Sequence, residues 1–310
     1  MARAVKASAI DETLLKLAVL LQAGVSPARA WTFVADGGDQ EAARVSAGLA
    51  QGMTLSAAIA TAAGSNAMPR RRRGGASAAE RDARRWQDVA AAWQVATAVG
   101  APLADSLRAL SVAVRDAQEA ADDVRIALAE PAGTAKLMGW LPLVAILLGF
   151  ALGFDTLGTL VASPIGIACL VLGLGLIIAA QRWNSALVRR ARSGSGIPGL
   201  DAELLAIALS GGVSIDRARR LVSEASGSAT DPATESVLEL SRTAGVPAVE
   251  LLRASSAWAR HRARVEGRLR AARLSTRLLL PLGVCTLPAF LLLGVAPMLL
   301  SVMNSVPLPI

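Results

Sequence analysis

A chain of 310 residues has room for about two domains. With 53% hydrophobic residues, a mean hydropathy of +0.47 and a net charge of +8, it reads as a membrane protein with basic cytoplasmic parts rather than as a soluble globule. The same numbers exclude a nucleic-acid binder, because the arginines lack interleaved aromatics and gather beside apolar segments, where anionic headgroups would meet them.

The N-terminal stretch Met1 to Ala23 is basic and then leucine-rich, but Asp11, Glu12 and Lys16 interrupt the apolar core a signal peptide needs, so it reads as retained and cytoplasmic. Asp11 is placed as a helix N-cap, with Ile10 and Leu15 as a hydrophobic staple, and Leu14, Leu17, Leu20 and Leu21 follow at helical spacing. Gly24 stops that helix and Ser26-Pro27 starts the next, since glycine accepts the left-handed stop, serine caps free amides and proline suits a first turn. The same punctuation returns at Gly52-Met53-Thr54, Gly100-Ala101-Pro102, Gly212-Val213-Ser214 and Gly245-Val246-Pro247, each between apolar helical runs. Trp86, Val89, Trp93 and Ala96 form one helical stripe, and Leu103, Leu107, Leu110 and Val114 another. A Gly-Val-Ser turn, a Gly-x-Pro turn and then an apolar span occur twice in that order, the sign of an internal duplication.

A basic loop, 69–85, opens with Arg70 to Arg73 between Pro, Gly and Ser and reads as solvated or as a contact for anionic lipid or an acidic partner. Leu137 to Phe154 and Val161 to Ala180 are apolar spans joined by a turn with a single acid, Asp155, and flanked by Arg182, Arg189, Arg190 and Arg192, which keeps the flanks inside. The third span follows Arg277; a helix of about 20 apolar residues crosses the roughly 30 Å hydrocarbon core. The resulting fold class is all-α, with two cytoplasmic helical-bundle domains and three transmembrane helices. The boundaries are 1–135 for the first cytoplasmic domain, 136–182 for the membrane hairpin and 183–199 for a linker rich in Ser and Gly. The second cytoplasmic domain takes 200–276, the last span 277–300 and an extracytoplasmic tail 301–310.

Catalytic chemistry has no foothold. No Gly-rich loop ends in Lys-Ser or Lys-Thr, the one histidine, His261, sits among arginines, and Asp155 is the only acid in or beside a span, so no catalytic, cofactor or metal residue is assigned. Cys169 and Cys285 lie in apolar runs and read as core filler. The residues singled out for contact are Arg262, Arg264, Arg268, Arg270 and Arg273, for lipid headgroups or acidic partner surfaces. Beside them stands the acidic stretch of Glu119, Asp122 and Asp123, for those arginines or for a partner. Gly149 and Gly153 form a small-xxx-small pair for helix packing, and Pro142, Pro281 and Pro288 are kink positions inside spans.

Three stretches carry a resemblance: Leu17-Ala18-Val19-Leu20-Leu21-Gln22-Ala23-Gly24-Val25-Ser26, the hairpin from Leu141-Pro142 through Ser163-Pro164-Ile165-Gly166, and the closing Arg277 to Pro297 with its Leu-Pro-Leu-Gly and Leu-Pro-Ala-Phe motifs. They resemble the type II secretion system F family, within it the TadB and TadC proteins of tight-adherence (Flp) type IV pili, most clearly in the second half and least around Gln40 to Arg85. The resemblance implies a multi-pass platform protein of the inner (cytoplasmic) membrane with no enzymatic activity. It implies as partners a cytoplasmic secretion ATPase, a pilin or pseudopilin, and further copies of itself or a related platform subunit. The alternative is a small transporter or permease component.

Overall fold

A computed structural model describes residues 9–64, 78–127, 164–191 and 196–297, together with single positions 140, 144, 147, 151, 158 and 299. All described elements are helical: α1 (Ala9–Gln22), α2 (Pro27–Asp36), α3 (Gln40–Ala50), α4 (Leu55–Gly64), α5 (Ala78–Val99), α6 (Leu103–Ala127), α7 (Pro164–Ala191), α8 (Leu200–Ser210), α9 (Ile215–Ser226), α10 (Pro232–Ala244) and α11 (Ala248–Pro281). A π-helical turn (Leu282–Thr286), the short α12 (Leu287–Phe290) and a second π-helical turn (Leu291–Val295) complete the described chain. The contacts divide it into two units: Met1–Asp122 with Gly194–Glu266, and Asp123–Ser193 with Gly267–Ile310.

The first unit grows from the punctuation legible in the sequence. Gly100 and Gly245 have φ of 69° and 67°, a left-handed backbone that only glycine adopts without strain, and the turns at Gly24, Gly52 and Gly212 follow suit. Ser214 accepts from the amide of Arg217, and Asp231 from that of Ala233, so each gives a free helix-end donor a partner. Pro27 opens α2 as expected, but the Ser26 side chain makes no capping bond. Asp11 departs from its expected role: α1 already includes Ala9, so Asp11 lies inside the first turn, and Leu15 is 49% exposed instead of stapling Ile10. Asp39 is the working cap nearby, accepting from the amides of Glu41 and Ala42 and from the Thr13 hydroxyl.

α5 is the hub, packed against α4, α8 and α9. Its Trp86, Val89, Trp93 and Ala96 are all buried, and Trp31 from α2, with no exposed surface, sits 6.2 Å from the Trp86 ring and 6.0 Å from the Trp93 ring. Tilted contacts of this kind suit the ring quadrupoles and add to what burial contributes. One hydrophobic core takes in Leu14, Leu17, Ile59, Leu107 and Leu110 from before the apolar spans and Leu204, Leu205, Leu238 and Leu252 from after them. The stretches expected as two separate bundles thus bury their stripes together. The end of the expected linker belongs to that core: Ile197 is buried, and Gly199, at φ 74°, lies so close to Ser256 that a Cβ would meet its Cα at 2.8 Å.

In the second unit, Pro164–Leu187 is 24 residues long with mean hydropathy 2.2. Among the described residues it is the one helix long and apolar enough to cross a membrane. Arg182 and Trp183 are exposed near its end, where an interfacial anchor would sit. Its Gly173 receives Leu293: a Cβ there would meet Leu293 Cγ at 2.5 Å, so the missing side chain sets the approach of the terminal helix. That terminal stretch, Gly283–Val295, is shorter and is built on π-helical turns. Each turn contains the residue four positions before a proline, Val284 before Pro288 and Leu293 before Pro297, where the ring would strike the carbonyl of a regular α-helix. Pro281 closes α11. Trp140, Val144, Leu147 and Ala151 are helical and exposed, whereas Pro142, Gly149, Gly153 and the arginines 70–73 fall outside the described residues.

Trp31→Ala removes the side chain that joins α2 to α5 and is expected to destabilise the protein by about 3–5 kcal/mol, read as a lowered midpoint in denaturant unfolding of the detergent-solubilised chain.

Candidate functional site

α6 and α11 carry charged residues singled out in the sequence, Glu119 and Asp123 on α6 and Arg264 and Arg268 on α11, and two that were not, Asp116 and Arg260, at spacings that hold each set on one helix face. In the first unit they meet. Arg260, with its side chain 10% exposed, donates through Nε to Asp116 Oδ2 at 3.0 Å and through Nη1 to Ser256 Oγ at 3.2 Å and Glu203 Oε2 at 3.5 Å. The Ser256 hydroxyl donates to Glu203 Oε2 at 2.7 Å. Glu203, its side chain 4% exposed, is thereby a buried carboxylate held by one guanidinium and one hydroxyl, and the group ties α6, α8 and α11 together.

One turn further along, Arg264 Nη2 donates to Glu119 Oε2 at 2.7 Å, while Arg115 Nε donates to the other oxygen of the same carboxylate at 3.1 Å. In the second unit, Arg268 donates to Asp123 Oδ2 through Nε at 3.1 Å and Nη2 at 2.8 Å. Arg262 turns to its own helix and donates to Glu266 Oε1 at 2.9 Å. Arg270 and Arg273 are exposed, Asp122 half-buried. Three of the expected residues on α11 therefore have acidic partners within the chain, two of them on the acidic helix the sequence set beside them.

Sequence reasoning missed the deepest members. Glu203 is the second of two acids, Asp201 and Glu203, that open an otherwise apolar helix, Leu200–Ser210, and its place directly against the run Leu204 to Leu209 is the signal that could have found it. Asp88 is a second case: it lies between Trp86 and Val89, one of its carboxylate oxygens is buried with no hydrogen-bond partner, and burial pushes its pKa up to about 7. Asp201 pushes the same way, while Arg85 and Arg84 pull back. Asp201 is itself raised, by burial and by the charge of Asp231.

This arrangement supplies linkage rather than chemistry. Ser256 has no exposed surface and Glu203 is 3% exposed, so this hydroxyl–carboxylate pair does not face solvent. Among the described residues, no group of three or more His, Cys, Asp and Glu side chains is placed to hold a metal ion.

Residues 13–151, just under half of the chain, match the family described as type II secretion system (T2SS), protein F. The match is to that stretch alone. It falls on the first half and includes the region of Gln40 to Arg85, whereas the resemblance read from the residues is clearest in the second half. No curated protein and no solved structure matches the chain.

Arg260→Ala leaves Glu203 buried without its cation and is expected to cost roughly 3 kcal/mol in unfolding experiments, much of it recovered by adding Glu203→Gln. Asp88 gives a separate pH signature. Its folded pKa lies above the unfolded value of 3.8, so the folded state holds the proton more tightly and stability falls as pH rises from about 4 to about 7, then levels off. Asp88→Asn is expected to remove that slope and to raise stability at pH 8 by on the order of 2 kcal/mol, measured by denaturant unfolding across the range.

Proposed function

We propose that the chain is a platform subunit in the inner membrane of a type II secretion or type IV pilus machine of the tight-adherence (Flp) kind. It is not an enzyme; it passes motion from a cytoplasmic secretion ATPase to pilin subunits that leave the bilayer for a growing fibre. The observation that carries this reading is the match of residues 13–151 to the type II secretion system F family, whose members are inner-membrane platform proteins.

The geometry supports the mechanical part. α11 runs without a break for 34 residues, from a helix joined to α6 and α8 by ion pairs to the apolar stretch that begins at Leu278. An unbroken helix transmits a push along its axis because each turn is held to the next by backbone hydrogen bonds. In this reading, the first span of the membrane hairpin and the terminal stretch join Pro164–Leu187 to make three crossings, with both ends of the hairpin and the arginines 70–73 on the cytoplasmic side. Arg270 and Arg273, exposed on α11 ahead of the apolar stretch, face anionic headgroups. Copies of the chain or a related platform subunit complete the assembly.

Deletion of the gene is expected to abolish surface fibres while pilin is still made and inserted, scored by electron microscopy and by immunoblotting of membranes. Single cysteines at Ser195 and Arg71 are expected to resist an impermeant maleimide in intact cells. Normal fibres in the deletion strain overturn the platform role, and labelling of either cysteine overturns the topology.

A further inference from the structure

From its Gly-x-Pro turn onward the duplication keeps a spacing of 145 residues through the helix that follows, and the structure shows what that spacing does. Gly100 and Gly245 share their left-handed φ, and Pro102 and Pro247 stand two residues on, each just before the helix that follows. Going along α6 and α11 from there, Asp105 pairs with Arg108 at 3.2 Å and Glu250 with Arg253 at 3.6 Å. Leu107 and Leu252 are both fully buried. The Ser111 hydroxyl donates to the Arg108 carbonyl at 2.8 Å, and the Ser256 hydroxyl, whose proton Glu203 shares, lies 2.9 Å from the Arg253 carbonyl. Every one of these couples is separated by 145 positions, as are Glu119 and Arg264, the two residues that meet across the first unit. Asp123 and Arg268 meet in the second unit at the same separation, and Asp116 and Arg260 at 144.

Two parallel helices in which a residue faces its own repeat-equivalent are related by a half-turn about an axis running between them, the arrangement of a parallel twofold dimer. In a true dimer the facing residues would be identical, and a charged one would face its like. Here the repeats agree where each packs into the core, at Leu107 and Leu252 and at Ser111 and Ser256, and they invert in sign where they face each other.

We propose that α6 and α11 form a heterotypic, twofold-related helix pair whose specificity is set by Asp116, Glu119 and Asp123 against Arg260, Arg264 and Arg268. The acidic face of α6 accepts α11 and rejects a second α6, so this surface closes within one chain and is not where two copies meet. Two α6 helices in the same register would set Glu119 against Glu119 and Asp123 against Asp123, and two α11 helices would set arginine against arginine, both repulsive. Copies that assemble must use other faces. A platform divided into two chains, one with an acidic helix after its Gly-x-Pro turn and one with a basic helix, would pair across this same surface. None of this depends on which machine the platform serves.

Two measurements on the full-length chain test it. The variants R264E/R268E and E119R/D123R each put like charges face to face and are expected to lower the thermal midpoint in detergent by about 3–6 °C. The fourfold exchange, which restores opposite charges with the order reversed, is expected to recover at least half of that loss. Then, with Cys169 and Cys285 replaced by alanine, E119C/R264C is expected to cross-link within one chain under a short bifunctional maleimide. E119C alone is expected to give less than a tenth as much cross-linked dimer. A fourfold exchange no better than the one-sided variants overturns the charge specificity. Dimer formation by E119C as efficient as the internal cross-link overturns closure within the chain.

Discussion

One buried guanidinium organises the junction of three helices. Arg260 can leave water only because Asp116, Ser256 and Glu203 receive its donors, and Glu203 can leave water only because Arg260 and Ser256 receive its charge. An aliphatic contact would tolerate a slide of α8 along α11. A carboxylate in reach of two fixed donors does not, because a shift of about one ångström strands a charge where no solvent replaces the partner. The tie thus selects one packing of the first unit from the several that its alanine- and leucine-rich stripes would permit.

Around that tie the molecule divides its work by residue type. The first unit is held by large aromatics and leucines on α2, α5, α8 and α11, and it presents charge at its surface. In the second unit α7 is apolar and largely uncovered, and its close contact depends on a residue with no side chain, Gly173 beneath Leu293. In the terminal stretch the prolines force the helix to widen into π-helical turns, a geometry that regular hydrogen bonding would otherwise exclude.

The candidate residues on α11 and α6 change meaning once seen in place. As a sequence, a run of arginines beside an apolar span is ordinary topology-setting charge, and its acidic counterpart an ordinary solvated face. In the structure Arg264 and Arg268 are the partners of Glu119 and Asp123, while Arg262 pairs along its own helix with Glu266. Two of the five arginines that would attract lipid or a protein partner hold α11 to α6 instead.

Much of the fold was legible because its determinants are local. A left-handed glycine, a proline in a first turn or a leucine stripe acts over a few residues, so the helices, their turns, the apolar stretch from Pro164 onward and the repeated Gly-x-Pro punctuation could all be read from the chain. Asp11 was misread for the same reason: the residues before it decide where α1 starts, and a capping residue is defined by its neighbours' backbone. What only the tertiary structure decided is nonlocal. Ile197 and Gly199 look like linker until Ser256 packs on them, Glu203 looks like a surface acid until Arg260 reaches it, and two bundles look separate until Trp93, Leu204 and Leu252 share a core. No pattern within one helix states which other helix will cover it; that choice is made by shape and charge between segments 145 residues apart.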